Sequence, residues 1–323
     1  MQPEVICLGA VNVDLVYRID DLADLLDRWG TGLQPGGEEA LTRADEARLR
    51  DLLAGYDRPA SRFGGGQAAN TAWALARLGV PTALVGRVGA DADGDFLKHS
   101  LAGVNLQYLA QAGESGRAYI LVDPQGERTI LVAPNTNDDL REGDLPWQVL
   151  KGARFIHLTS FVGDGPLEVQ RRVAVRLPRG PRLSLDPGEL YARRGRAPLT
   201  ELLDHVETLL VTEAEWALLG GEMKRHPDWA PPIVVLKRGH QGARMLTPVR
   251  YLDFPPDYPG PLVDTLGAGD VFAAGYIAGL LIGLNLPQAI RLAGKAAAYK
   301  LAGAGRERYP DREALKIMIA QLR

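Results

Sequence analysis

From Phe63 onward, apolar runs of strand length alternate with segments of helical period, and that alternation leaves a chain few ways to fold. Residues 68–78 read as a helix ended by Gly79, 82–88 as a strand, 95–101 as a helix stopped by Gly103, and 104–109 as a strand. Further strand and helix signals follow at 155–159, 165–177, 183–186, 199–203, 208–212 and 233–237. A short hairpin, a long apolar helix from Val271, and helices over 287–301 and 311–322 complete the chain. Repetition of this kind predicts an α/β fold: a three-layer α/β/α sandwich with a mostly parallel central sheet. The first strand, 4–9, agrees, because it is apolar at every position after Glu4 and so reads as buried on both faces.

Two stretches break the pattern. Residues 116–133 form two strand-like runs around Asp123-Pro124-Gln125-Gly126, a hairpin turn, and 11–17 alternate polar with apolar residues as a half-exposed strand does. These are expected to pair as a small second sheet. Residues 20–62 are polar and carry one short amphipathic helix near 45–53, and they read as an excursion from the core.

Composition narrows the partners. With 37 Lys+Arg against 40 Asp+Glu the net charge is -3, which argues against nucleic acid. One cysteine, Cys7, allows no internal disulfide and no Cys-based metal site, and it reads as a small buried apolar residue in a reducing, cytoplasmic setting. The five histidines show no ligand spacing. No basic leader segment precedes the first strand, so no secretory signal is expected. The longest apolar run, 271–284, falls short of the roughly 20 residues that span a bilayer. Its glycines at 275, 279 and 283 therefore read as a close-packing face of an interior helix, and no membrane is expected among the partners. The arginine clusters at 171–182 and 193–196 read as solvated faces.

The chemistry concentrates at Asp264-Thr265-Leu266-Gly267-Ala268-Gly269-Asp270, directly before the long helix. Small residues let consecutive N–H groups converge, and a helix start adds partial positive charge, so the loop suits a phosphate or its transition state. A carboxylate at Asp270 would then be placed to take a proton from an attacking hydroxyl. The same residues also fit an N-capping aspartate whose glycines serve only the turn, and the residues alone do not separate the two. No GxxxxGK[ST] loop, no GxGxxG after a strand and no protein-kinase signature set is present.

This loop matches the DTxGAGD signature of the ribokinase-like, or PfkB, family of carbohydrate and nucleoside kinases. Gly65-Gly66-Gln67-Ala68-Ala69-Asn70, nearly 200 residues earlier, resembles the family's GGxxxN signature. Gly86-Arg87-Val88-Gly89, the hairpin, 235–242 and Gly303-Ala304 extend the likeness along most of the chain, and the long interval from Asp14 to Gly65 resembles adenosine-kinase-like members. The resemblance implies one ribokinase-like domain over 1–323 with a lid formed by about 11–18, parts of 20–62 and 116–133. It implies an ATP-dependent kinase acting on a primary hydroxyl of a sugar or nucleoside. Asp270 would be the base, Gly267, Ala268 and Gly269 the anion hole, and Asn12, Asp14, Gly65, Gly66 and Asn70 the acceptor site. Thr212, Lys237, Gly239 and Gly242 would line the nucleotide, and Glu215 would act on Mg²⁺ through water. Thr212 stands where the family usually has asparagine. A K⁺ ion is implied at Asp264, Leu266 and the Gly303-Ala304 turn, and a homodimer could form through the lid. Asp14 alone also fits a turn or a lid salt bridge, Lys237 a solvent-facing side chain, and Asp186-Pro187-Gly188 either a magnesium contact or a plain turn. A nucleobase would need stacking partners, for which Tyr17, Phe63, Tyr119 and Phe161 are the candidates. Two rival readings are a non-catalytic sensor on the same fold and a nicotinamide-dependent dehydrogenase. The second would want a glycine fingerprint after the first strand, where only Gly9 stands.

Overall fold

Val5–Leu8 lies inside a nine-stranded sheet and feeds both of its faces: Val5 and Cys7 enter one apolar cluster, Ile6 and Leu8 the other. An uninterrupted apolar strand demands this, since successive side chains point to opposite sides. The computed structural model describes residues 2–30, 32–56, 59–177, 180–257, 260 and 262–322.

On one side of Val5–Leu8 lie Thr82–Val88 and Leu109–Gln111. On the other lie, in order, Phe155–Thr159, Arg182–Asp186, Thr208–Thr212, Ile233–Lys237, Ala243–Leu246 and Tyr251–Phe254. Pairings are parallel as far as Ile233–Lys237; the last two are antiparallel. Helices Gln67–Arg77, Ala268–Leu281, Leu286–Leu301 and Arg312–Ala320 cover one face, and Asp164–Arg176, Gly188–Ala192, Thr200–Leu203 and Glu213–Leu218 the other. The result is the three-layer α/β/α arrangement. Helix Ala268–Leu281 packs its small residues on Leu286–Leu301, where a Cβ on Gly275 would come within 2.9 Å of the Ala293 Cα. That contact and the one a Cβ on Gly279 would make with the Ala289 Cα at 3.1 Å account for two of the three glycines; Gly283 lies beyond the helix at φ 87° with nothing packed against it, and so serves the turn and not the packing face. Among the described residues no helix is long and apolar enough to cross a membrane.

A second, five-stranded sheet has the order Glu38–Ala40, Arg128–Ala133, Gly116–Val122, Asn12–Arg18, Ser61–Gly65. The hairpin does run beside 12–18, with Asp14 opposite Ala118 on one side and Phe63 on the other. Helices Leu22–Trp29 and Arg43–Leu53 cover its outer face, packing on Tyr119, Leu121, Leu131 and Ala133. The alternate residues Ala118, Ile120, Ile130 and Val132 face inward to a cleft between the two sheets.

Three elements differ from the sequence expectations. The strand expected at 104–109 is instead Leu109–Gln111, with only an isolated bridge at Asn105, because the Val104 N–H closes the turn after the preceding helix and a second turn, Leu109 N–H to the Leu106 carbonyl, interrupts the pairing that Asn105 begins. The excursion 20–62 holds two helices and two strands, not one helix, since Leu22, Leu25, Leu26 and Trp29 find an apolar sheet face to cover. Gly64 and Gly65, which with Gly66 read from the sequence as a turn into the helix, instead close an edge strand, and the helix runs Gln67–Arg77, starting one residue before the position expected.

Candidate active site

The carboxyl ends of the central strands and the inner face of the second sheet enclose a cleft of about 340 Å³. The chain leaves the central sheet after Leu8 and enters the second sheet as strand Asn12–Arg18, which brings Asn12 and Asp14, two residues apart on one face, into the cleft. Asp14 is buried, and its carboxylate accepts no hydrogen bond from any described residue, which removes the lid salt bridge as its role. Gly65 leaves it room: a Cβ there would lie 2.1 Å from both carboxylate oxygens. Gly65 thus makes space for the acidic group and is not among the residues lining the cleft, whereas Gly66, at φ 92° against the Ala10 carbonyl, does line it. The Asn12 Oδ1 is committed to the protein, accepting from Asn137 Nδ2 at 2.8 Å, which leaves its Nδ2 as the group that can donate into the cleft.

On the opposite wall, Asp270 sits in the first turn of Ala268–Leu281, its Oδ2 accepting from Asn70 Nδ2 at 2.8 Å. Asn70 is in turn fixed by Arg306, whose Nη2 and Nε donate to its Oδ1 at 2.8 and 3.0 Å. Asn70 therefore holds the base in place more directly than it could hold an acceptor. The Gly267 and Gly269 N–H groups make no hydrogen bond among the described residues, but that of Ala268 donates to the Thr265 carbonyl at 3.2 Å. The anion hole thus narrows to Gly267 and Gly269, both of which line the cleft.

Lys237 ends its strand inside the cleft and is mostly buried, not solvent-facing. Its Nζ donates to Asp186 Oδ2 at 2.6 Å and stands 3.4 Å from where a Gly269 Cβ would be. Burial alone would pull the Lys237 ammonium down, yet Asp186, Glu215 and Asp270 together push it up, so it stays charged. Thr212 caps helix Glu213–Leu218: its Oγ1 accepts from Glu215 N and its own N–H donates to Glu215 Oε2 at 2.7 Å. A threonine can make this capping box, so the substitution leaves the helix start closed. Gly239 and Gly242 lie beyond the end of the Lys237 strand and do not line the cleft; Gly242 packs on the backbone at Phe254.

Five carboxylates and one ammonium line the cleft: Asp14, Glu38, Glu189, Glu215 and Asp270 against Lys237. Burial, reinforced by Asp186, raises the Asp270 pKa to about 7. Burial also raises Asp14 to about 7 against the pull of Arg306, and Glu38 to about 7 with help from Glu189 and Glu215. The folded protein therefore holds protons on these groups between about pH 4 and 7 that the unfolded chain has released, and its stability falls as pH rises through that interval. Asp14→Asn is expected to melt higher than the wild type at pH 8 by about 2 °C or more and to show little advantage at pH 4. Equal melting-temperature differences at both pH values would show that Asp14 is not the source.

Asp264 lies behind the anion loop. Its Oδ1 accepts from Leu266 N and Arg128 Nη2 at 2.9 and 2.7 Å, and its Oδ2 from Gly305 N and Lys300 Nζ at 2.8 and 3.0 Å. Lys300 Nζ also donates to the Asp264 carbonyl at 2.9 Å. The monovalent ion expected here meets oxygens already engaged by an ammonium and a guanidinium, so the residues present do not fit it. For a divalent ion, no group of three or more His, Cys, Asp or Glu among the described residues could form a protein cage. Asp186 and Glu215 beside Lys237 suit a Mg²⁺ that takes its remaining ligands from phosphates and water. Of the stacking candidates only Phe161 lines the cleft.

Sequence reading missed Glu38, Asn137, Arg306 and Lys300 as members of this neighbourhood. Lys300 alone carried a signal, because it falls four residues after Ala296 on the buried side of its helix.

A family model described as pfkB family carbohydrate kinase matches residues 45–307. An uncharacterized sugar kinase from Archaeoglobus fulgidus is 33% identical over 252 residues, covering 75% of this chain and 97% of its own. An ATP-dependent ribose-1-phosphate kinase from Halopiger xanaduensis is 29% identical over 324 residues, 98% of each chain. Among solved structures, a probable sugar kinase from Rhizobium etli superposes with a TM-score of 0.84 at 24% identity, covering 100% of this chain and 99% of its own. Adenosine kinase from Sinorhizobium meliloti does so at 0.82 and 23%, covering both chains fully.

Proposed function

Because the chain belongs to the pfkB family of carbohydrate kinases and so phosphorylates a sugar or nucleoside with ATP, we propose that its acceptor is a ribofuranose whose primary hydroxyl is delivered to Asp270. The observation that carries this is the pairing of an unpartnered, buried Asp14 with Asp270 across one cleft. One carboxylate accepts hydrogen bonds from ring hydroxyls while the other takes the proton of the attacking one.

In the step itself, the hydroxyl oxygen forms a bond to the γ-phosphorus, its proton passes to Asp270, and the bond from that phosphorus to the bridging oxygen breaks to release ADP. The Gly267 and Gly269 amides and Lys237 face the charge that develops. Asp186 and Glu215 would help to hold a Mg²⁺ ion together with the phosphates, and that ion would supply further neutralisation. Closure of the second sheet as a lid would exclude water, which otherwise competes as acceptor.

The net negative lining favours a neutral acceptor, and the aliphatic wall of Ala118, Ile120, Ile130 and Val132 with Phe161 offers an apolar slot for a base at C1 of the sugar. The acceptor is therefore read as a nucleoside. A second reading, ribose 1-phosphate, rests on the Halopiger xanaduensis relative. A coupled ADP-release screen over nucleosides, free pentoses, ribose 1-phosphate and hexoses is expected to show the highest kcat/KM with a nucleoside. Preference for ribose 1-phosphate would establish the second reading, and preference for a hexose would remove the ribofuranose assignment altogether.

A further inference from the structure

Lys300 is fully buried at the end of helix Leu286–Leu301, where a lysine costs desolvation unless its three donors are used. Two of its contacts go to one residue, the backbone and carboxylate oxygens of Asp264 at 2.9 and 3.0 Å. Asp264 opens the anion loop, and its other carboxylate oxygen fixes the Leu266 N–H, one residue before Gly267. The Gly305 N–H converges on the oxygen that Lys300 holds. The Lys300 ammonium thus ties the start of the loop to the end of helix Leu286–Leu301, alongside the Val263 and Asp264 N–H groups, which donate to the Leu301 carbonyl at 2.9 and 3.3 Å.

We propose that the Lys300 ammonium is a built-in monovalent cation, so that this enzyme orders its anion loop without K⁺. An ammonium and a potassium ion carry the same charge at similar size, and both prefer carbonyl and carboxylate oxygens. Arg128, reaching Asp264 from the second sheet at 2.7 Å, adds a further positive charge to the same carboxylate. No oxygen of Asp264 is left for a metal ion that would not have to displace one of these groups. Truncating the lysine should therefore create a cation requirement that the wild type lacks. The inference rests on the kinase reading only for its activity measurement.

The test measures melting temperature and ADP release in buffers of choline, Na⁺, K⁺ and NH₄⁺ at fixed ionic strength, for the wild type, Lys300→Ala and Lys300→Met. The wild type is expected to change less than about 1.5-fold in rate across the series, with one melting temperature throughout. In choline, Lys300→Ala is expected to lose at least about fivefold in kcat and to melt lower, with K⁺ or NH₄⁺ restoring both and Na⁺ less. Lys300→Met, which fills the space without charge, separates lost packing from lost charge: it should melt closer to the wild type yet stay slow in choline. Activation of the wild type by K⁺ of twofold or more would overturn the proposal. So would a Lys300→Met enzyme as fast in choline as the wild type, or two folded variants that no cation rescues. If no acceptor is phosphorylated, the cation dependence of melting still decides the point, and the failure then lies with the kinase reading.

Discussion

Asp270→Asn is expected to lower kcat by about 10² to 10⁴, the range lost when a general base is removed, while the KM for ATP changes little. The asparagine is the same size, so the Asn70 contact at the helix start can be kept with its amide reoriented; what disappears is the ability to accept a proton. The pH dependence gives an independent check. Burial and the neighbouring Asp186 raise the Asp270 pKa to about 7, and a base must be ionised to act, so kcat/KM should fall as pH drops below about 7. Asp270→Asn should lose that limb along with the rate. Near-normal turnover in the variant, or an acidic limb that survives the substitution, would assign the proton transfer elsewhere.

What could be read from the sequence was what lies close together along it. The strand-helix alternation needs only local hydrophobic period, and 264–270 places its amides and carboxylate within one loop and one helical turn. The partners that tune the site come from far along the chain. Asp186 and Lys237 meet at 2.6 Å across strand ends 51 residues apart, and Arg306 reaches Asn70 across 236. Such pairs follow from sheet order, which periodicity does not specify. Glu38 was hidden for another reason: Glu38–Ala40 is a three-residue edge strand in a polar stretch, paired by register with Ile130 to Val132, and nothing in its own residues predicts that neighbour. In the loop before the long helix the Ala268 N–H is turned to the Thr265 carbonyl, which the sequence did not foretell, because whether that amide donates to Thr265 or to a ligand depends on the turn's geometry and not on the residues in it.

The second large effect is expected at Asp14. Strand Asn12–Arg18 of the second sheet places it in the cleft, and its register opposite Phe63 sets it beside Gly65, the position with no side chain to block the carboxylate. A buried carboxylate with no hydrogen-bond donor among the described residues is costly in the free protein, and acceptor hydroxyls that donate to it recover that cost on binding. The carboxyl group, raised to about 7 by burial, should fall toward its ordinary value once those hydroxyls donate to the ionised form. An acceptor lacking one of them leaves the charge unpaired, at about 1 to 3 kcal/mol, so a 2-deoxy sugar ring should lose at least about tenfold in kcat/KM relative to the ribo form. Asp14→Ala should weaken the ribo acceptor by a similar factor and erase most of the discrimination, with the KM for ATP nearly unchanged. Because this variant also removes a destabilising buried charge, it should melt higher than the wild type without ligand, which separates a lost contact from a lost fold. Equal use of ribo and deoxy acceptors by the wild type, or discrimination that persists in Asp14→Ala, would mean that the ring hydroxyls are read by another group.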